Sequence, residues 1–256
     1  MIPNGIAATA IAGAGATLVC TALGIAAAAI VARLQPRRGG LAELAEPQRF
    51  AVIVGAVVGA IAGAYVLQFP ADWFGWSWVP QNLPPDSPPD SPIDVRPLGG
   101  RTVVGGLLGG WIGVEWVKRR RDITLATGDS FAAPLAVALA FGRAGCTLAG
   151  CCVGRECAPA WWALVDAAGV ARWPVAPIEV LFHAGAFIWL WRAASRDLGR
   201  GRRLAAYLAL YALLRIALEF ARPNPPLLLG ASWYQLLALV LFALASATWW
   251  RRRPSR

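Results

Sequence analysis

The sequence predicts an all-α, polytopic membrane protein with about seven transmembrane helices. Hydrophobic residues make up 57% of the 256 residues and the mean hydropathy is +0.53, which is more apolar than soluble domains usually are. The apolar residues gather in long runs, and a membrane span needs roughly 20 such residues. Basic residues cluster after every second run, as they do at the cytoplasmic ends of spans.

The predicted spans are seven apolar runs. They cover residues 6–32, 50–69, 102–117, 128–152, 176–195, 204–221 and 232–250. The first run follows no basic segment and is longer than the core of a signal peptide, so we expect a retained helix. The third is short and is followed directly by charged residues. Little chain remains for a soluble domain, and we predict one integral membrane domain over residues 1–256.

Basic clusters determine the predicted orientation. They follow the first, third, fifth and seventh spans, at residues 33–38, 118–121, 192–203 and 251–256. Since Lys and Arg concentrate in cytoplasmic loops, the N-terminus is predicted outside and the C-terminus in the cytoplasm. The net charge of +10 therefore needs no nucleic-acid partner, because a basic cytoplasmic face accounts for it.

Small residues and prolines shape the rest of the chain. Glycines recur every fourth residue in the second and third spans, which lets helix backbones pack closely; they are Gly55, Gly59, Gly63, Gly105, Gly109 and Gly113. The outer connection 70–100 is rich in Pro and carries Trp73, Trp76 and Trp78 like an interfacial aromatic belt. Its PPDSPPDSP section is predicted to be a stiff extended linker. The smaller connection 153–175 is predicted to form a hairpin around Gly169.

Charged residues in the outer halves of four spans are the candidate functional groups. Arg143 lies roughly two to three turns below the outer end of the fourth span. Glu179 opens the fifth span and Arg101 the third. Two helical faces are predicted from residue spacing: Arg143, Cys146, Gly150 and Gly154 on the fourth span, and Arg215, Glu219 and Arg222 on the sixth. Each charge costs at least about 2.5 kcal/mol inside a membrane, and such charges usually mark a functional interior.

Two interpretations of these charges stay open. Arginines outnumber carboxylates, which calls for an anion, and the guanidinium fork suits phosphate. The abundant phosphate of the outer leaflet is a phospholipid headgroup. The alternative is a pair of ion-paired braces, Arg215 with Glu219 and Arg143 with Glu179.

The cysteines and the single histidine add further candidates. Four of the five cysteines lie at 146–157, but they form no two separated CxxC pairs and no histidine lies nearby to complete a zinc set. They are small packing residues, or include one disulfide on the oxidising outer side, or serve redox or metal chemistry. His183 lies one turn beyond Glu179, and we predict a packed or hydrogen-bonded structural residue there instead of a catalytic base.

Four segments together resemble a known family. They are VVGGLLGG (103–110), GRAGCTLAGCCVGR (142–155), RWPVAPIEV (172–180) and YALLRIALEFARP (211–223). Over residues 100–223, and in this order, the chain resembles the prolipoprotein diacylglyceryl transferases. The resemblance implies a multi-pass enzyme of the bacterial inner (cytoplasmic) membrane. It also implies two substrates, phosphatidylglycerol and a preprolipoprotein signal peptide, whose lipobox cysteine receives the diacylglyceryl group through a thioether.

The resemblance also implies residue roles. Arg143, Arg215 and Glu219 are the catalytic candidates. The resemblance gives Gly154 and Arg222 a supporting role. Further substrate-binding candidates lie in the matching segments or among the charges and helical faces described above: Arg101, Gly105, Gly106, Cys146, Arg172 and Glu179. A thiolate displaces glycerol phosphate, and guanidinium groups stabilise the departing phosphate. This chemistry requires no cofactor or metal.

The chain departs from the family pattern at three points. The family motif His-Gly-Gly reads Val104-Gly105-Gly106 here, and Trp173 replaces the histidine that precedes a proline in the family. The tyrosine expected in the first helix is absent, since no tyrosine precedes Tyr65. These differences keep two other functions open, a non-catalytic phospholipid-binding paralogue and a transporter or flippase of an anionic amphiphile. A transporter should show paired halves, and the sequence has no convincing internal repeat. We therefore favour an active transferase whose thiol activation does not rely on a histidine.

Overall fold

The computed structural model describes residues 13–35, 40–75, 101–166 and 169–252, and most of these residues are helical. The helices are α1 (Gly13–Leu34), α2 (Glu46–Val66), α3 (Phe69–Trp73), α4 (Val103–Arg120), α5 (Asp129–Leu148), α6 (Val175–Ser195), α7 (Arg203–Glu219) and α8 (Trp233–Arg251). A 3-10 turn covers Gly40–Glu43, and two short strands, β1 (Leu164–Val165) and β2 (Ala171–Arg172), complete the described elements. One long helix overlaps each of the seven predicted apolar runs.

Four helical segments in the described ranges are long and apolar enough to cross a membrane. They are Gly15–Leu34, Glu46–Trp73, Asp129–Leu148 and Trp233–Arg251. The other three long helices are α4, α6 and α7. Helices α6 and α7 carry buried charged residues, and α4 ends in a run of basic residues. The helical fold class is thus confirmed, while the seven-span count and its orientation stay predictions.

The chain divides into two compact units. The first comprises Met1–Glu43, Leu125–Pro223 and Leu244–Arg256, and the second comprises Leu44–Thr124 and Asn224–Ala243. In the first unit α5 packs against α1, α6 and α7. In the second unit the main pairing is α2 against α4.

The pairing of α2 with α4 depends on the two predicted glycine series. Gly55, Gly59 and Gly63 face Gly113, Gly109 and Gly105 in antiparallel order. A Cβ atom added to Gly63 would lie 2.7 Å from the Cα atom of Gly109, closer than any real side chain comes. The predicted packing role of these glycines is confirmed, because only hydrogen atoms fit between the two backbones.

The end of α5 differs from the prediction. The fourth span was predicted to continue to residue 152, but α5 ends at Leu148, and Gly150 and Cys152 adopt left-handed backbone with φ of 63° and 58°. The hydropathy of this segment stays high, so composition alone does not reveal the turn. As a result Gly150 and Gly154 do not share a helical face with Arg143, and that prediction is wrong.

Two further connections can be compared with the predictions. Arg222 lies beyond the last residue of α7, Glu219, and so does not continue the predicted helical face. Strands β1 and β2 form the predicted hairpin, with Leu164 opposite Arg172 and Gly169 in the turn at φ 78°. The Pro-rich section, Trp76 and Trp78 lie outside the described residues.

Candidate functional site

Helices α5, α6 and α7 bring four buried charged side chains together. Arg143 comes from α5, Glu179 from α6, and Arg215 and Glu219 from α7; all are at most 6% exposed. Glu179 forms ion pairs with both arginines, at 3.3 Å in the case of Arg215. Arg215 also pairs with Glu219 at 3.2 Å, and Arg222 approaches the same carboxylate at 3.9 Å. We call these five residues the arginine cluster.

The arginine cluster contains both pairs of the brace interpretation. Arg143–Glu179 and Arg215–Glu219 are present, and the contact between Arg215 and Glu179 joins them into one network. Three guanidinium groups and two carboxylates leave one excess positive charge. The cluster therefore links α5, α6 and α7 through ion pairs, and the excess positive charge is the feature that the anion interpretation requires.

The three nitrogen atoms of the Arg143 guanidinium group have different surroundings. Its Nη2 atom pairs with Glu179, and its Nη1 atom lies 3.8 Å from the Sγ atoms of both Cys146 and Cys152. Its Nε atom has no hydrogen-bond partner among the described residues. One buried donor thus remains available to a ligand.

A chain of aromatic and polar side chains extends the cluster along α6 and α7. The Tyr211 hydroxyl donates to Glu179 at 3.1 Å, and the Tyr207 hydroxyl lies 2.8 Å from Nδ1 of His183. His183 is fully buried, as expected of a packed or hydrogen-bonded residue, and its predicted structural role in place of a catalytic base stays a prediction. The sequence reasoning missed both tyrosines, although residues 207, 211, 215 and 219 follow a four-residue spacing that places them on one face of α7.

Gly154 is needed because three backbone segments meet there. A Cβ atom at this position would lie 2.5 Å from the carbonyl oxygen of Trp173 and 3.0 Å from that of Ala221. The next residue, Arg155, receives a backbone hydrogen bond from Trp173 and donates one to Ala221. The glycine thus allows the loop after α5 to join the hairpin to the end of α7.

Arg155 is a second residue that the sequence reasoning missed. Its Nε atom donates to the carbonyl oxygen of Arg222 at 2.7 Å, which adds an exposed guanidinium group beside the arginine cluster. The available signal was its position at the end of the segment 142–155. The predicted substrate-binding residue Arg172 instead pairs with Asp166 and Glu156 in the hairpin region, and its Nη1 atom reaches the Gly154 carbonyl at 3.5 Å.

The remaining predicted residues are three cysteines and three residues of the second unit. All five cysteines are free thiols, so no disulfide joins them, and the Sγ atoms of Cys146, Cys151 and Cys152 lie within 4.8 Å of one another. In the second unit, Gly105 and Gly106 both face α2, and the Arg101 guanidinium lies 5.7 Å from the ring centre of Tyr65. The substrate-binding roles of these residues stay predictions.

The helices and the arginine cluster define a class, an α-helical membrane protein with a buried cationic site. The family model for prolipoprotein diacylglyceryl transferase matches residues 18–251. The chain therefore belongs to the prolipoprotein diacylglyceryl transferase family, as the four motifs predicted.

Several relatives carry the name phosphatidylglycerol–prolipoprotein diacylglyceryl transferase. The protein of Dehalococcoides mccartyi is 31% identical in an alignment of 153 residues, and the alignment covers 57% of this chain and 59% of that protein. A relative from Clostridium perfringens, which carries the number 2 in its name, is 27% identical over 74% of this chain and 72% of its own length. The Verminephrobacter eiseniae protein is 34% identical over 61% of both chains. The chain thus spans about three fifths of the length of two of these relatives.

Proposed function

We propose that this protein transfers the diacylglyceryl group of phosphatidylglycerol to the lipobox cysteine of a preprolipoprotein signal peptide. The observation that carries the proposal is the excess of buried guanidinium groups at the positions of the family motifs. The names of the relatives support the same reaction. In the proposed arrangement the protein crosses the bacterial inner membrane seven times, and the arginine cluster faces its outer half.

Phosphate binding follows from the contacts within the arginine cluster. The headgroup phosphate accepts hydrogen bonds from the free Nε atom of Arg143 and competes with Glu179 and Glu219 for Arg215. Arg222 holds Glu219 only at 3.9 Å and supplies the excess charge.

The transfer step then balances without a cofactor. The lipobox thiol loses its proton through water to Glu219 or Glu179, because the thiolate is the nucleophile. Its sulfur forms a bond to the glyceryl carbon, and the bond from that carbon to the phosphate oxygen breaks. Glycerol phosphate departs with the electron pair, and the fixed guanidinium groups stabilise its growing charge.

A direct assay tests the proposal. Purified protein is incubated with phosphatidylglycerol labelled in its acyl chains and with a lipobox peptide, and the thioether product is separated and counted. We expect product with the cysteine peptide and none with the matching serine peptide. Arg143→Ala and Arg215→Ala should abolish transfer, and Lys at either position should rescue poorly because it lacks the bidentate fork.

A control and an opposing result complete this test. Arg200→Ala removes a half-exposed arginine that pairs with Glu43, and it should leave transfer unchanged. The replacement of family histidines by Val104 and Trp173 favours the second candidate function, a phospholipid-binding paralogue without transferase activity. Normal phosphatidylglycerol binding without any labelled peptide would establish that second function and refute the first.

A further inference from the structure

Three thiol groups converge beside the arginine cluster. Cys146 lies in the last turn of α5, and Cys151 and Cys152 follow the end of that helix. Their Sγ atoms all lie within 4.8 Å of one another. The side chain of Cys151 is exposed and those of the other two are partly buried, so the group is accessible from one side.

The spacing of the three sulfur atoms suits a shared metal ion. A zinc–sulfur bond is about 2.3 Å long, so sulfurs around one ion lie about 4 Å apart. A disulfide needs a sulfur–sulfur distance of about 2.05 Å and joins only two of the three atoms. All three thiols stay free in the structure, which is the state that a metal ion requires.

The charge of the surroundings also suits three thiolates. A divalent ion held by three thiolates carries one net negative charge. The Nη1 atom of Arg143 lies 3.8 Å from both Cys146 and Cys152, and it supplies the opposite charge. The left-handed backbone of Gly150 and Cys152, with φ of 63° and 58°, turns the chain back so that residues five and six positions after Cys146 reach it.

We propose that Cys146, Cys151 and Cys152 bind one thiophilic metal ion of the zinc class, with Arg143 as its counter-charge. Zinc usually takes four ligands, and three protein ligands leave one position open. This position suits a further thiol. Given the proposed transfer reaction, on which this part of the inference rests, the lipobox cysteine is the thiol that fills it, and the ion takes over the activation that the family histidines would provide.

The chemistry balances with no change of oxidation state. Binding of the ion releases the protons of the three protein thiols, and binding of the lipobox thiol displaces a water molecule and releases one more. The bound sulfur attacks the glyceryl carbon while the bond from that carbon to the phosphate oxygen breaks. Glycerol phosphate leaves with the electron pair beside Arg143, and the neutral thioether, a weaker ligand than a thiolate, dissociates.

The test uses Cd²⁺ as a probe for zinc, because its bonds to thiolates absorb in the ultraviolet. Full-length protein is purified in detergent, reduced, freed of metal with a chelator and titrated with Cd²⁺. We expect one Cd²⁺ per chain and a thiolate-to-metal absorption band. Cys146→Ser, Cys151→Ser and Cys152→Ser should each weaken the band and the affinity. The matched control is Cys157→Ser, which removes a cysteine outside the group and should change neither.

Addition of a lipobox peptide tests the open position. The cysteine peptide should strengthen the Cd²⁺ band by adding a fourth thiolate, and the serine peptide should not. Circular dichroism shows which variants fold, and Cys151→Ser at an exposed position is the one least expected to disturb folding. The proposal is overturned if the protein binds no Cd²⁺, if all three serine variants bind Cd²⁺ as tightly as the unmodified protein, or if a native disulfide joins two of the three cysteines.

The metal site and the proposed transferase fail in different ways. Lipid transfer by protein that binds no Cd²⁺ would refute the metal site and leave the transferase standing. Stoichiometric Cd²⁺ binding without lipid transfer would refute the transferase and leave the metal site standing. Binding of Cd²⁺ with no response to the cysteine peptide would overturn the role of the open position.

Discussion

Glu179 is the residue on which the arginine cluster depends most, and Glu179→Gln tests this. The substitution keeps the shape of the side chain and an oxygen for the Tyr211 hydroxyl. It removes the charge that pairs with Arg143 and with Arg215. Three guanidinium groups then face one carboxylate, and the excess charge rises from one to two. Because Glu179 is 1% exposed, losing its charge should cost about 3–5 kcal/mol of unfolding free energy.

The measurement is the free energy of unfolding in detergent micelles, followed by circular dichroism as denaturant is added. The matched control is Glu43→Gln, which removes the carboxylate that pairs with Arg200 at 3.1 Å, a pair whose two side chains are both about half exposed. That pair should contribute at most about 1 kcal/mol. Phosphatidylglycerol should restore part of the lost stability of the Glu179 variant, because its phosphate supplies the missing negative charge. Equal stability of the two variants would refute the view that Glu179 joins the cluster.

Three further predictions concern activity and topology. His183→Ala should keep most transferase activity, since His183 contacts Tyr207 and no charged group of the cluster by hydrogen bond; loss of transfer in folded protein would make it the base. Glu219→Gln should lower turnover more than lipid binding, as measured by initial rates against lipid titrations, and an equal loss of both would contradict a role in proton transfer. An alkaline phosphatase fusion at the C-terminus should be inactive and one within residues 80–95 active, because basic clusters mark the cytoplasmic side; the reverse result would refute the predicted orientation.

The positions of the long helices could be predicted because hydropathy reports directly on the apolar runs. Their ends could not, as the early end of α5 shows. The turn after Leu148 depends on left-handed backbone at Gly150 and Cys152, and apolar composition continues through it. A local conformation of this kind leaves no trace in a hydropathy average.

The members of the arginine cluster and two of its ion pairs could be predicted, but not the contact between Arg215 and Glu179 that joins the two pairs. Residue spacing places Arg215 and Glu219 on one face of a helix, and it cannot show that Glu179 contacts both arginines, because that depends on how α6 is rotated against its neighbours. The same limit applies to Cys146, Cys151 and Cys152. Their spacing matches no familiar metal motif, and their sulfur atoms meet only through the turn that follows α5.

The planar guanidinium of Arg143 has a thermodynamic consequence. One edge faces the thiols, a second faces Glu179, and the Nε atom faces no described partner. A rigid group cannot reorient one edge without moving the others. Any ligand that pulls on one edge must therefore change the affinity at the other edges, and linkage requires the same factor in both directions. If phosphate on Nε strengthens thiol binding tenfold, thiol binding strengthens phosphate binding tenfold, about 1.4 kcal/mol of coupling. The two substrates would then load as a cooperative pair, with a single side chain as the coupler.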